Sequence, residues 1–167
     1  MTYTTDSTQS FIASLQSVNE VSATTQLFKQ LTADDRLAIL WYAYTECGKS
    51  ITPAAPGAAR LHLASGLIDK VKKMTYAEQL QFMRDLVNKV DTPDTRAYGI
   101  LSTNTKLGFW YVLAELMTQG IVVPMPSNYQ ASKDVQRLLG TIASLDFGQQ
   151  ITILRSAVVD MGYDPFA

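Results

Sequence analysis

The sequence predicts an all-α protein. No segment of the 167 residues shows sustained alternation of apolar and polar residues, and hairpin dipeptides such as Asn-Gly are missing. Apolar residues instead recur at helical spacing along most of the chain. We expect a short N-terminal arm with an apolar face (Phe11, Ile12 and Leu15), followed by helices at about 20–30, 33–47, 57–72, 76–90, 94–101, 105–119, 132–144 and 148–161.

Composition points to a large apolar surface that something must cover. Hydrophobic residues make up 47% of the chain and charged residues only 17%, below the quarter or so that is usual. A core, a partner or a ligand could provide the cover. The net charge of −1 gives no electrostatic footprint for nucleic acid or an anionic membrane.

The sequence also restricts where the protein works. The longest apolar run, Leu37–Tyr44, is too short to span a bilayer. Met1–Ser10 lacks the basic and apolar regions of a signal peptide. The single Cys47 excludes an internal disulfide and a cysteine metal cluster. We therefore expect a soluble, cytosolic protein.

Three predicted helices begin alike, which suggests an internal repeat. The copies are Leu31–Leu40, Met74–Met83 and Leu145–Leu154. Each has an apolar residue, an N-cap residue and, three positions later, the partner that a capping box requires. The N-caps are Thr32, Thr75 and Asp146, and their partners are Asp35, Glu78 and Gln149. Such a repeat favours helix hairpins related by approximate two-fold symmetry, arranged as two helical subdomains.

The stretch Asn104–Pro126 combines a helix with an extended strap. Asn104 can cap the helix, whose apolar stripe runs from Leu107 to Met117. Gly120 suits the left-handed position after a helix end, and the apolar residues Ile121–Pro126 cannot continue the helix. This stretch could be ordinary core or one wall of an apolar tunnel.

Nothing in the sequence favours an enzyme or a metal site. His62 is the only histidine, and it has no acidic residue or cysteine at a metal-ligand spacing. Cys47 is better interpreted as a small apolar side chain. Acidic residues at the helix starts are explained by capping and by the helix dipole.

The remaining candidates are apolar and aromatic residues on the inward stripes. Core packing is the simplest interpretation, but Trp and Tyr are also used where a flat ring must face a ligand. Arg155 falls on the stripe of the last helix, where a charge must reach the rim of the core or a mouth. The set comprises Leu37, Leu40, Trp41, Tyr44, Met83, Leu107, Trp110, Met117, Met125, Pro126 and Tyr129.

Four long motifs resemble one family, the N-terminal helical domain of the cyanobacterial orange carotenoid protein and its stand-alone relatives, the helical carotenoid proteins. The motifs are AAPGAA (Ala54–Ala59), DTP with Arg-x-Tyr (Asp91–Tyr98), NxKLGFWYxLxELMxQG (Asn104–Gly120) and GQQITxLRxAVVDMG (Gly148–Gly162).

The resemblance implies an N-terminal arm, 1–18, and a carotenoid-binding domain, 19–167, whose two interlocked four-helix subdomains form an apolar tunnel. The ligand implied is a keto-carotenoid such as canthaxanthin, echinenone or 3'-hydroxyechinenone. The implied pigment-binding set adds Pro56, Ala114, Arg155 and Val158 to the stripe residues above. Trp41 and Trp110 would flank one end ring of the pigment.

The resemblance implies photoprotection: quenching of singlet oxygen, with pigment transport as an accompanying role. The chain ends at Ala167 without the C-terminal domain of the two-domain protein, so we expect no light switching of its own. The alternative is a constitutively active quencher that docks on the phycobilisome around Arg155, Asn104, Pro56 and Gly57, and so associates peripherally with the thylakoid. A third interpretation is a colourless partner, or an acceptor of pigment from a separate C-terminal-domain homologue.

Overall fold

The computed structural model describes residues 5–47 and 60–167, and no strand occurs in this part of the chain. The predicted all-α class is confirmed. In chain order the helices are α1 (Thr5–Gln30), α2 (Ala33–Cys47), a 3₁₀ turn (Leu61–Leu63), α3 (Ser65–Lys73), α4 (Tyr76–Asn88), α5 (Pro93–Gly99), α6 (Thr103–Thr118), α7 (Lys133–Ser144) and α8 (Phe147–Val159).

The two largest differences from the predicted boundaries lie in the first half of the chain. Helix α1 begins at Thr5, so the predicted arm is continuous with the first helix. No Gly or Pro occurs between residues 5 and 18 to end a helix there. The helix predicted from residue 57 begins at Ser65, because Arg60 has a left-handed φ of 48° that interrupts it. Residues 57–59 lie outside the described chain.

In the structure, the three copies of the repeat share similar hydrogen bonds at their helix N-termini. Complete capping boxes occur at Thr75 and at Asp146. In the first copy the Thr32 hydroxyl accepts from the Asp35 N–H at 3.2 Å, and the Asp35 carboxylate accepts from the hydroxyl of Tyr129. The preceding apolar residues of all three copies pack against the core: Leu31, Met74 and Leu145.

The predicted cap of α6 is wrong by two residues. Ser102, rather than Asn104, accepts from the N–H of Thr105 and begins the helix. Serine and asparagine are similarly good N-caps, so the local sequence did not discriminate between them. Asn104 is thereby left on the helix surface, where its Oδ1 accepts from Arg155 at 3.4 Å.

Helix α2 lies at the centre of the structure and contacts α4, α6, α7 and α8. Helix α1 packs on α7 and α8 through its C-terminal half, where Thr24 and Phe28 are buried. The core is a single cluster to which every one of these helices contributes. It includes the fully buried side chains Ile39, Leu86, Tyr98, Phe109, Leu113 and Val122.

The extended strap after α6 is held in place by one buried side chain, Gln79 of α4. Its Nε2 donates to the carbonyls of Val71 (3.0 Å) and Ile121 (3.1 Å), and its Oε1 accepts from the N–H of Val123 at 2.8 Å. Gly120 has the predicted left-handed φ, 72°, and turns the chain into the strap. The amide of Gln79 therefore connects the end of α3, helix α4 and the strap.

Replacement of Gln79 by Met should destabilise the fold by about 3 kcal/mol, because the N–H of Val123 and two carbonyls lose their buried partner. Urea unfolding measures this change, and faster amide hydrogen exchange at Val123 should accompany it. The control is Gln81→Met on the exposed face of the same helix, expected to cost under about 0.5 kcal/mol. Equal stabilities for the two variants would contradict the anchoring role.

Candidate functional site

An apolar cavity of about 150 Å³ opens between α2, α4, α6 and the strap. Its walls are mainly aliphatic, aromatic and thioether side chains, with polar groups from only a few residues. The residues that line it are Asp34, Leu37, Ala38, Leu40, Trp41, Tyr44, Leu80, Met83, Arg84, Trp110, Ala114, Met117, Val123, Pro124, Met125, Pro126 and Tyr129.

Helix α6 is buried on two faces, and only one of them borders the cavity. Trp110, Ala114 and Met117 form the cavity face. Phe109 and Leu113 lie on the other face and are fully buried in the core. The apolar stripe predicted from the sequence matches this cavity face except at Leu107, which packs with the core. The stripe alone does not separate the two faces, because α6 is hydrophobic almost all round.

Two repeat copies contribute equivalent positions to the cavity. The matched pairs are Leu37 with Leu80, Leu40 with Met83, and Trp41 with Arg84. Helices α2 and α4 also contact each other. The third copy differs: its Leu154 is core and its Arg155 is exposed. The first two copies of the repeat thus line the cavity, and the third copy, in α8, lies outside it.

The polar atoms of the buried rings bind protein groups. The Tyr44 hydroxyl donates to the carbonyl of Leu107 at 3.0 Å. The indole N–H of Trp110 donates to the Tyr98 hydroxyl at 2.9 Å, and that hydroxyl donates to the carbonyl of Val158 at 2.8 Å. Burial raises the pKa of Tyr44 and that of Tyr98. The rings of Tyr44 and Trp110 can therefore face a ligand with their hydrogen-bonding demands already met.

The buried side chain of Lys106 lies beside the hydrogen bonds that link Trp110, Tyr98 and Val158. Lys106 is 5% exposed, and its Nζ donates to the carbonyl of Val159 at 3.2 Å and lies 5.2 Å from the ring centre of Tyr98. Desolvation lowers the pKa of Lys106. The ammonium group occupies the C-terminal end of α8, where the helix dipole favours a cation.

At the cavity rim, polar contacts link the N-terminus of α2 to Arg84 of α4 and to Tyr129, which follows the strap. Arg84 of α4 pairs with Asp34 through Nε (2.7 Å) and Nη2 (2.9 Å), and this pair lowers the pKa of Asp34. The Tyr129 hydroxyl donates to Asp35 at 2.6 Å. Burial, then this hydrogen bond, raises the pKa of Tyr129.

Most of the predicted site residues that the structure describes lie together at the cavity, and three of them do not. Leu107 and Val158 pack with the core outside the cavity lining. Arg155 is exposed beside Asn104, since the turn of α8 that carries it points away from the cavity. Pro56 lies outside the described residues, as do Gly57 and the AAPGAA motif.

Sequence reasoning missed six lining residues: Asp34, Ala38, Leu80, Arg84, Val123 and Pro124. The repeat contained a signal for two of them, because Leu80 and Arg84 occupy the repeat positions of Leu37 and Trp41. Among the described residues no cluster of three metal-ligating side chains occurs, and no helix there is long and apolar enough to cross a membrane.

The cavity fits one ring of an apolar ligand. A dry cavity of about this size, lined by aliphatic and aromatic groups, accommodates a benzene molecule. The lining here offers the same chemistry together with the flat faces of Trp41 and Trp110. A longer ligand would have to continue beyond the cavity.

Comparison with known proteins identifies a common family. Residues 14–164 match the sequence model described as orange carotenoid protein, N-terminal. An orange carotenoid-binding domain-containing protein of Nostoc sp. PCC 7120 is 55% identical over all of this chain and 99% of its own length. An orange carotenoid-binding protein of Synechocystis is 48% identical over 98% of this chain and 51% of its own length. The chain thus spans about half of that relative.

Solved structures agree with the sequence matches. The orange carotenoid protein of Anabaena (Nostoc) sp. PCC 7120 binding canthaxanthin aligns with a TM-score of 0.81 at 53% identity, over 87% of this chain and 47% of that one. The red carotenoid protein of the same organism binding canthaxanthin aligns with a TM-score of 0.75 at 39% identity, over 86% of this chain and 99% of that one.

The buried tyrosines predict a loss of stability at alkaline pH. Because burial raises the pKa of Tyr44 and of Tyr98 in the folded state, both stay protonated while their unfolded counterparts ionise above about pH 10. Their contribution to the free energy of unfolding is fully present below that pH. Above it, the free energy of unfolding falls by about 1.4 kcal/mol per pH unit for each tyrosine. Urea unfolding between pH 9 and 11.5 measures the slope.

The variant Tyr98→Phe should show a shallower slope by about one proton. It should also be less stable at neutral pH, since Trp110 loses its acceptor. Tyr163→Phe, which removes an exposed hydroxyl, is the matched control at neutral pH and should change the stability by under about 0.5 kcal/mol. A Tyr98→Phe slope equal to that of wild type would contradict the assignment.

Proposed function

Because the chain belongs to the family of orange carotenoid protein N-terminal domains, we propose that it is a carotenoid-binding photoprotective protein. The observation that carries the proposal is the apolar cavity with Trp41 and Trp110 in its walls. A keto-carotenoid such as canthaxanthin, echinenone or 3'-hydroxyechinenone would place an end ring there. Such a protein belongs in the cyanobacterial cytosol.

The side chains of the cavity would bind the pigment without acid–base chemistry. A polyene has no hydrogen-bonding groups along its body, so dispersion against rings and thioethers must hold it. Trp41, Trp110 and Met117 offer such surfaces. When bound, the carotenoid supplies a low-lying triplet state that takes energy from singlet oxygen and loses it as heat.

The rest of a carotenoid would need more room than the cavity has. Leu107 and Val158 pack in the core beside the cavity-lining helices, and both belong to the predicted pigment-binding set. We propose that these two positions repack when the polyene enters. Large side chains with several rotamers, such as Met83 and Met117 on the neighbouring wall, make such repacking less costly.

The first test is purification from a host that makes keto-carotenoids. A broad, red-shifted visible band that co-elutes at about one pigment per chain is the expected result, and the loaded protein should shorten the lifetime of singlet-oxygen phosphorescence. A well-folded but colourless protein would contradict the proposal and favour a colourless partner role. Pigment transfer from a separate C-terminal-domain homologue can be followed by the same absorption band.

Trp41→Ala should retain roughly three- to tenfold less carotenoid, because a ring stacked on a polyene is lost. Trp110→Ala removes a ring that is only 2% exposed and should lower the free energy of unfolding by about 3–5 kcal/mol. Trp41 is only partly buried, so Trp41→Ala should lower it by less. Pigment-to-protein absorbance ratios and urea unfolding separate the two effects. Phe147→Ala, at an exposed aromatic outside the cavity, should keep the wild-type ratio.

A second candidate function is excitation quenching on the phycobilisome. The observation in its favour is the exposed pair of Arg155 and Asn104, which can bind an acidic surface through the guanidinium group. This surface lies on α6 and α8, away from the cavity lining.

Pigment-loaded protein should then lower the fluorescence of isolated phycobilisomes, and Arg155→Gln should abolish most of the loss at moderate salt. Arg137→Gln, an exposed arginine on α7, serves as the control and should quench like wild type. Unchanged emission with the loaded wild-type protein would rule out this second function while leaving pigment binding intact.

A further inference from the structure

The cavity lining that the structure describes contains one cationic group, and that group has hydrogen-bond donors to spare. Among the lining residues, the Tyr129 hydroxyl donates to Asp35 and the Tyr44 hydroxyl to the carbonyl of Leu107. The indole of Trp110 donates to Tyr98. Each of these groups has one N–H or O–H to donate, and each is already engaged.

Arg84 is different because its guanidinium group has five N–H donors. The pair with Asp34 uses Nε and Nη2, at 2.7 and 2.9 Å. This two-point pairing accounts for two donors and fixes the plane of the group. The remaining donors belong to a side chain that both lines the cavity and is 38% exposed.

We propose that Arg84 is a specificity residue that selects carotenoids whose end ring carries a carbonyl oxygen, by donating a hydrogen bond to that oxygen. The inference rests on the proposed function and deepens it. A ketone oxygen only accepts hydrogen bonds, so among the polar groups of the rim it matches a guanidinium donor and not the carboxylate of Asp34, which also only accepts.

Asp34 contributes by positioning. The carboxylate orients Arg84 and stays ionised because the pair lowers its pKa, so the guanidinium group is held before the ligand arrives. A ring without oxygen would remove water from part of this charged group without accepting a hydrogen bond from it. The hydrogen bond therefore favours binding of the ketone ring, and the loss of hydration disfavours binding of the hydrocarbon ring.

The test is a competition between canthaxanthin, with a carbonyl on both rings, and β-carotene, with no oxygen. The purified protein is incubated with vesicles that contain equal amounts of the two, and the retained pigments are extracted and separated by chromatography. Wild type should enrich canthaxanthin about five- to tenfold, as expected for a hydrogen bond to a charged, partly exposed group. Arg84→Met should reduce the ratio to near one, and Arg84→Lys should keep part of it.

The matched control is Arg96→Met. Arg96 forms the same kind of two-point pair, with Asp91 at 2.5 and 2.9 Å, and does not line the cavity. It should keep the wild-type ratio, and circular dichroism should report the same helix content for all variants. A ratio near one for wild type, or an unchanged ratio for Arg84→Met, would overturn the inference. If wild type retains neither pigment, the proposed function itself fails, whereas retention of both in equal amounts leaves it standing.

Discussion

The three hydrogen bonds of Gln79 allow an apolar wall to be built from extended backbone. The carbonyl of Leu116 in α6 accepts from the N–H groups of Ile121 and Val122 at the start of the strap. Beyond them no helix is in register to satisfy the extended backbone, and an unpaired group beside an apolar cavity is costly. Pro124 and Pro126 have no N–H to satisfy, and Gln79 bonds the N–H of Val123 and the carbonyl of Ile121. The strap can therefore present Val123, Pro124, Met125 and Pro126 to a ligand. The Leu116 carbonyl, the two prolines and the buried amide of Gln79 together allow an extended segment to border an apolar cavity.

The repeat explains why the cavity has two unlike sides. Helices α2 and α4 start with similar capping motifs and contact each other, and equivalent positions of both line the cavity. Trp41 and Arg84 are the pair at which the copies differ most. One offers a flat apolar ring and the other a charged, hydrogen-bonding plane. The cavity therefore has different chemistry on its two sides, although equivalent positions of the repeat line both.

Local signals in the sequence predicted the fold class, the capping boxes at Thr75 and Asp146, the left-handed Gly120 and much of the cavity lining, because periodicity and capping act within a few residues. Contacts between distant residues were not predictable in this way. Nothing near Gln79 or Arg84 indicates that one meets the strap and the other meets Asp34, 50 positions earlier. The choice of Ser102 over Asn104 as cap was equally open, since both are suitable. The stripe of α6 groups Leu107 with the cavity and the resemblance adds Val158, whereas the position of both in the core follows from packing that no single stripe specifies.

The continuity of α1 has a consequence for cooperativity along that helix. Its 26 residues extend over roughly 39 Å. Among the residues of α1 whose burial the structure describes, the buried side chains, Thr24 and Phe28, belong to the second half. Isolated helices of about a dozen residues are marginal in water, so the first turns persist by propagation from the anchored end. Local opening should therefore cost progressively less free energy toward Thr5, and these turns can unwind or become ordered without disturbing the cavity. The stability of the N-terminal half of α1 therefore depends on the anchored half, whereas the anchored half does not depend on the first turns.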